Sequence, residues 1–243
     1  MLTNSWLKYL KARLGRAPAR PGRRNPFFRP ALEPLESRLA PSATIMVNSA
    51  LDANSRNTVL TFREALLINN RTLLVSSLTA QEQAQVSGLP SSTDRDTIAF
   101  NIPGGGVRTI TAPPGSLPQI TDSVTIDGYT QPGAFPNTLT TGSDAVLQIE
   151  LRAGLTIVAP DCRVRGLVIN STGTAIQFFT AARNSIVEGN FIGTNAAGTA
   201  ALSTGAGVLS SGGNLIGGTT PAARNVISGN TSAGVVGQAG DVI

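Results

Sequence analysis

The chain has 243 residues, 41% hydrophobic and only 14% charged, a balance that excludes an intrinsically disordered protein. Its 26 glycines and 15 prolines, with 5% aromatic residues, favour many tight turns and thin strands over a large aromatic core. The net charge of +5 is concentrated at one end. Residues 1–43 carry nine basic and two acidic side chains (net +7), and the remainder carries ten arginines and twelve carboxylates (net −2). We therefore expect no nucleic-acid-binding face on the body of the protein.

Residues 1–43 are predicted to form a basic, mostly disordered leader. Within it, "SWLKYLKARL" (5–14) places three leucines on one helical face among basic residues, which is typical of a membrane-surface helix or of a marginal solvated one. No apolar run approaches the roughly 18 residues of a transmembrane segment, so none is predicted. The leader also lacks the apolar core of an ordinary secretory signal.

Residues 44–122 are predicted to form an N-terminal capping region with two short helices. "TIMVNS" (44–49) begins it as a strand, and Thr61 with Glu64 has the spacing of a capping box, which predicts a helix over 62–70. Thr79 and Glu82 repeat that spacing and predict a second, exposed helix that ends at Gly88. Three further strands are predicted from alternating patterns separated by glycine and proline: "DTIAFNIP" (96–103), "VRTITA" (107–112) and "SVTIDGY" (123–129).

Residues 123–243 are predicted to form the coils of a right-handed parallel β-helix, an all-β solenoid. "VRGLVIN" (164–170) aligns with "VEGNFIG" (187–193) at an offset of 23, and "NFIG" aligns with "NVIS" (225–228) at an offset of 35. Without the inserted loop "TNAAGTAAL" and the longer turn "TTPAA", the unit has three short strands and roughly 22–25 residues. Three inward columns follow from the alignment: Val164/Val187, Ile169/Ile192/Ile227 and Ile176/Val208/Val235. Asn190 and Asn225 are expected to stack in a hydrogen-bonded ladder.

Several stretches resemble known families. "LEPLESRLAPSA" (32–43) resembles the LEPR-XLL leader of large exported bacterial proteins. "LTFREALLINN" with "DTIAFNIPGGGVRTIT" resembles CSLREA-domain proteins, which continue into right-handed parallel β-helix repeats of the pectin-lyase-like type. "GNFIGTNAAGTAAL" and "GGNLIGGTTPAARNVISGN" resemble such repeats. The cysteine and leucine that open the CSLREA word are absent, because Thr61 and Phe62 precede Arg63. The resemblance implies a secreted or cell-surface location and a fold, but no single activity.

Catalytic chemistry has little support in the sequence. Polysaccharide-acting β-helix enzymes need carboxylates gathered on one face, yet the chain has no histidine, and Glu188 is the only carboxylate between Cys162 and Gly240. Glu188 is predicted to pair with Arg165 on the neighbouring coil, and Cys162 is predicted to be a buried filler. The other candidates are thinly spread: Asp94, Asp96, Asp122, Asp127, Asp144, Glu150 and Asp161. Asp94 and Asp96 favour a turn or cap role and Asp127 favours a turn, with an assembled Ca²⁺ site as the alternative. We assign no catalytic, cofactor-binding or metal-binding residue and no cofactor.

Three functions remain open. The first is a non-catalytic exported β-helix module that acts as a structural, spacing or adhesive element. The second is a polysaccharide-acting lyase or hydrolase, or a degenerate relative, which three or more carboxylates or arginines converging on one outer face would favour. The third is a carbohydrate-binding module, which would need an exposed aromatic row. Expected partners are polysaccharide or cell-envelope components, and further coils or another domain covering the C-terminal end.

Overall fold

A computed structural model describes residues 42–202 and 205–243, which are rich in strands and poor in helices. The predicted leader therefore lies outside the described residues, except for Ser42 and Ala43. The helices are α1 (Phe62–Asn69) and α2 (Ala80–Gln83), and single 3₁₀ turns span Val75–Ser77, Gly128–Thr130 and Pro221–Ala223. The strands are β1 (Thr44–Val47), β2 (Val86–Ser87), β3 (Asp96–Phe100), β4 (Arg108–Thr111), β5 (Val124–Asp127), β6 (Ile149–Arg152), β7 (Leu155–Ile157), β8 (Arg163–Arg165), β9 (Leu167–Ile169), β10 (Ile176–Phe178), β11 (Ile186–Glu188), β12 (Phe191–Ile192), β13 (Val208–Leu209), β14 (Leu215–Ile216), β15 (Val226–Ile227) and β16 (Val235–Val236).

The strands form three sheets that the chain visits in turn. The first sheet has the order β14-β11-β8-β5-β3-β1-β2, the second β15-β12-β9-β6-β4 and the third β16-β13-β10-β7. From β8 onward, each successive strand enters the first, second and third sheet in rotation. All paired strands are parallel except β1 and β2, which are antiparallel. Each sheet therefore grows by one parallel strand every time the chain returns to it.

Aliphatic side chains occupy matching positions on neighbouring strands and form the core. The predicted strand pairings are confirmed: Val164 pairs with Val187, Ile169 with Ile192 and Ile227, and Ile176 with Val208 and Val235. The Ile169 column continues backward through Leu151 to Ile110. These residues belong to one buried cluster, with Ile227 and Val235 half-buried against it. Because parallel strands lie about 4.8 Å apart, equivalent residues are in direct contact along each column.

Helix α1 forms as predicted and packs on the first sheet. The Thr61 side chain accepts from the Glu64 N–H while the Glu64 carboxylate accepts from the Thr61 N–H, which completes the capping box. The helix ends at Asn69, with Asn70 as its C-cap. Its apolar face is fully buried, and the rings of Phe62 and Phe100 lie 5.9 Å apart. The helix is therefore fixed by both its cap and its packing.

Helix α2 starts where predicted but does not reach Gly88. The Thr79–Glu82 capping box is present, and the helix ends after one turn at Gln83. Val86 then pairs with Ile45 in the antiparallel strand β2. The predicted length is wrong because pairing with the edge of the first sheet competes with the helix for this backbone.

Candidate functional site

Four charged side chains converge on the first sheet, on strands β5, β8 and β11. Asp127, Arg165 and Glu188 are directly paired in register, as the offset of 23 predicted for Arg165 and Glu188. The predicted ion pair is nevertheless wrong. Arg165 Nη2 lies 2.6 Å from Asp127 Oδ2, whereas Glu188 Oε1 accepts from Arg163 Nε at 2.9 Å. Arg165 lies between two carboxylates in register and bonds to Asp127. Glu188 pairs with Arg163 instead.

These charged groups, which we call the charged file (Asp127, Arg163, Arg165 and Glu188), are held tightly. The hydrogen bond to Asp127 is the main cause that raises the pKa of Arg165. The Asp127 Oδ1 atom also accepts from the Tyr129 N–H, so the predicted turn role of this residue is confirmed. Each of the two carboxylates is therefore paired with one guanidinium group.

Tyr129 fixes the turn next to the charged file. Its hydroxyl donates to the Gly189 carbonyl oxygen at 2.7 Å, and burial raises its pKa to about 12. A Cβ added to Gly189, whose φ is +62, would collide with Tyr129 and with the Ala222 carbonyl. The turn therefore requires glycine, and the phenol acts as a neutral hydrogen-bond donor.

A second candidate lies on the second sheet, where Glu150 lines a groove of about 580 Å³. Glu150 is buried and accepts from Thr109 Oγ1 at 2.8 Å, Arg152 Nε at 3.1 Å and Asn170 Nδ2 at 3.2 Å. Burial acts to raise its pKa, but the hydrogen bonds from Arg152 and Thr109 outweigh it, and the net pKa is lowered. The remaining walls are mostly apolar, with Ala112, Pro113, Pro114, Ala153 and Leu202 among them. The groove therefore offers an apolar surface beside one carboxylate whose charge is balanced by Arg152.

The remaining candidate carboxylates stay apart and serve local structure. Asp94 bonds to Ser91 and Thr93 in an exposed turn, and Asp144 accepts from the Thr138 N–H at 2.7 Å. Asp122 pairs with Arg71, and Asp161 has a left-handed φ of 57° at a turn. Asp96 is fully buried at the start of β3, and burial raises its pKa. Among the described residues, no group of three or more cysteine, aspartate or glutamate side chains is placed to hold a metal ion.

Two ladders of side-chain hydrogen bonds run along the corners of the sheets. Asn190 Oδ1 accepts from the Leu167 N–H at 3.0 Å, and Asn225 Oδ1 accepts from the Asn190 N–H at 3.0 Å, which confirms the predicted asparagine stacking. A second ladder, which the sequence analysis missed, precedes the first sheet. Its members are Cys162, Ser185, Asn214 and Asp241.

In this second ladder the side chains of Ser185, Asn214 and Asp241 each accept from the backbone one strand earlier. The Cys162 N–H donates to Ser185 Oγ at 3.1 Å, the Ser185 N–H to Asn214 Oδ1 at 2.9 Å and the Asn214 N–H to Asp241 Oδ1 at 2.9 Å. Cys162 is buried as predicted, and burial raises the pKa of its thiol to about 12. The thiol therefore stays protonated at neutral pH, and only the backbone N–H of Cys162 takes part in the ladder. The short acceptor side chains of Ser185, Asn214 and Asp241 were the available signal in the sequence.

Neither the aromatic residues nor the helices of the described region suggest a further type of site. Phe178 and Phe191 are buried, and the exposed Phe135 and Phe179 are the only large aromatic side chains with more than a third of their surface accessible in the ranges 42–202 and 205–243. No helix in these ranges is long and apolar enough to span a membrane. Comparison of the chain with protein-family models, curated proteins and solved structures found no match.

Proposed function

We propose that the chain is a non-catalytic right-handed parallel β-helix module, exported to the cell surface or secreted, that serves as a structural, spacing or adhesive element. The rotation of consecutive strands among three parallel sheets supports the β-helix, because one complete rotation corresponds to one coil. The matching aliphatic columns supply the interior that such a stack needs. The leader and repeat words that resemble the LEPR-XLL and CSLREA families support export.

The main support for a non-catalytic role is that nearly all the described carboxylates are held in hydrogen bonds. Every aspartate and glutamate in the described ranges except Asp161 accepts a hydrogen bond from a backbone N–H or from another side chain. Acid–base catalysis needs a carboxylate whose proton affinity is tuned for transfer, whereas these groups stabilise turns, ladders and ion pairs. We therefore infer that these carboxylates stabilise the fold.

The test combines shape and activity on the full chain. Small-angle X-ray scattering should show an elongated rod-like particle, as a stack of coils requires. A panel of neutral and acidic polysaccharides should show no release of reducing or unsaturated ends. A compact spherical particle would contradict the β-helix, and reproducible depolymerisation would contradict the non-catalytic role.

A polysaccharide-acting enzyme is the second candidate, and the charged file favours it. Two carboxylates and two arginines do converge on one sheet, which is the arrangement that the sequence criterion assigned to an enzyme. If depolymerisation is found, Glu188→Gln and Asp127→Asn should abolish it. Asp144→Asn, in an exposed turn and not a member of the charged file, should leave it unchanged and serves as the control. The third candidate, carbohydrate binding, would use the groove beside Glu150, and binding without cleavage in the same panel would support it.

A further inference from the structure

Arg108 occupies a position that its neighbours in register fill with apolar side chains. It is the first residue of β4, the edge strand of the second sheet, and it pairs with Ile149 and through it with Leu167. Both partners are 1% exposed and belong to the core. A guanidinium group in this column is therefore an exception to the pattern that builds the interior.

The guanidinium of Arg108 has no partner among the described residues. Its Nε and Nη2 atoms are buried and form no hydrogen bond, and Arg108 forms no ion pair with the described carboxylates. Buried donors are almost always paired, so two unpaired donors on one half-buried side chain are unusual. By contrast, Arg56, Arg63, Arg165 and other arginines of the chain are paired with carboxylates.

The two unpaired atoms form one edge of the guanidinium fork. Nε–H and the adjacent Nη2–H point in parallel, which is the geometry that binds the two oxygens of a carboxylate side by side. The guanidinium of Arg108 thus offers two aligned, buried donors to a ligand.

A glycine loop covers this edge. A Cβ added at Gly104 would lie 2.5 Å from Arg108 Nη2 and 2.9 Å from its Cζ, so only glycine allows the loop to lie on the guanidinium. At Gly105 and Gly106 an added Cβ would meet nothing within 4 Å, and residues 103–107 are exposed. The loop is therefore in contact with the arginine on its inner side and unpacked on its outer side.

We propose that Arg108 is a binding site for an organic carboxylate, which enters when the loop of residues 103–107 moves aside. The carboxylate replaces the missing counter-charge and satisfies both Nε and Nη2. A carboxylate presents two coplanar oxygens to the two parallel N–H groups of one guanidinium edge. This site goes beyond the proposed structural role and holds whether or not that role is correct.

The test is a titration of the full chain with sodium acetate, followed on the Nε–Hε resonances of its arginines by NMR. We expect the Arg108 resonance to shift downfield and saturate with a millimolar Kd, and the resonances of the paired Arg165 and Arg163 to stay in place. Acetamide, which has the same shape without the charge, should give no shift, and sodium chloride controls for ionic strength. An unmoved Arg108 resonance, or equal shifts with acetate and chloride, would overturn the proposal.

One variant and one competing anion test the selectivity of the site. Arg108→Lys keeps the charge but removes the fork, and should weaken acetate binding at least tenfold. Inorganic phosphate should bind more weakly than acetate at equal ionic strength. If phosphate binds more tightly, the site prefers a tetrahedral anion and the assignment to carboxylates is wrong.

Discussion

The region before residue 123 and the region after residue 162 use different polar interactions to hold the same kind of parallel sheet. In the first, the loops are long and charged groups bind them: Arg56 bonds to both Glu64 and Glu82, the two carboxylates of the capping boxes, whose side chains are 0% exposed. In the second, the turns are short and mostly uncharged side chains bond to the backbone of the preceding strand. Long connections need strong anchors at a few points, whereas short turns need one modest hydrogen bond at each return of the chain.

The comparison is tested most strongly by Arg56→Met. The change leaves two buried carboxylates without their cation, so we expect a loss of about 3 kcal/mol in the free energy of unfolding, at the lower end for a broken buried pair because Arg56 is itself 30% exposed. Denaturant unfolding measures the loss. The matched change Arg163→Met removes the partner of Glu188 on a more exposed face and should cost less than about 1 kcal/mol. Equal losses would contradict the distinction between the two regions.

The ladder of the second region is tested by Asn190→Ala. Asn190 is fully buried; its Oδ1 accepts from Leu167, and its Nδ2 donates to the Val164 and Glu188 carbonyl oxygens. We expect a loss of about 2 kcal/mol, because the variant leaves buried backbone groups unpaired. Asn225→Ala, one strand further along and half-buried, should cost about 1 kcal/mol. Thermal unfolding of both variants measures which loss of stability is larger. If Asn190→Ala leaves the stability unchanged, the ladder does not stabilise the fold.

The smallest effect concerns acid sensitivity. Burial acts to raise the pKa of Glu82, but the N–H groups of Asn57 and Thr79 and the charge of Arg56 outweigh it, so the folded-state pKa is lowered. The stability from Glu82 is therefore present above its unfolded pKa and lost as the pH falls through its folded pKa. Asp96 has the opposite sign: burial raises its folded pKa, so its cost is relieved as the pH falls through that value.

The measurement is the free energy of unfolding between neutral and acidic pH. Glu82→Gln should reduce the loss of stability in acid, and Asp96→Asn should increase it. A parallel response of the two variants would show that the local environments of these carboxylates do not set the pH dependence.

The sequence predicted the strand pairings after residue 162 because the offsets between equivalent residues are short and the same letters recur. It did not predict the order of β1, β2 and β3, since Thr44 pairs with Thr97 across two helices and several loops. The partner of Glu188 was wrong because register fixes Cα positions, while a long arginine side chain chooses between neighbours on both sides. The unpaired guanidinium of Arg108 was likewise beyond reach, because "VRTITA" contains no sign of the loop that covers it.

The ladder that begins at Cys162 allows the chain to gain or lose whole repeat units without losing its hydrogen bonds. Each rung needs only a short acceptor side chain before the next strand of the sheet, and serine, asparagine and aspartate all satisfy that need. The 29-residue segment from Ser185 to the residue before Asn214 is therefore interchangeable as a unit. Its removal would bring Asn214 Oδ1 to the Cys162 N–H in place of Ser185 Oγ, and leave every remaining rung intact. Duplication or deletion of a whole unit is therefore compatible with the hydrogen bonds of this ladder.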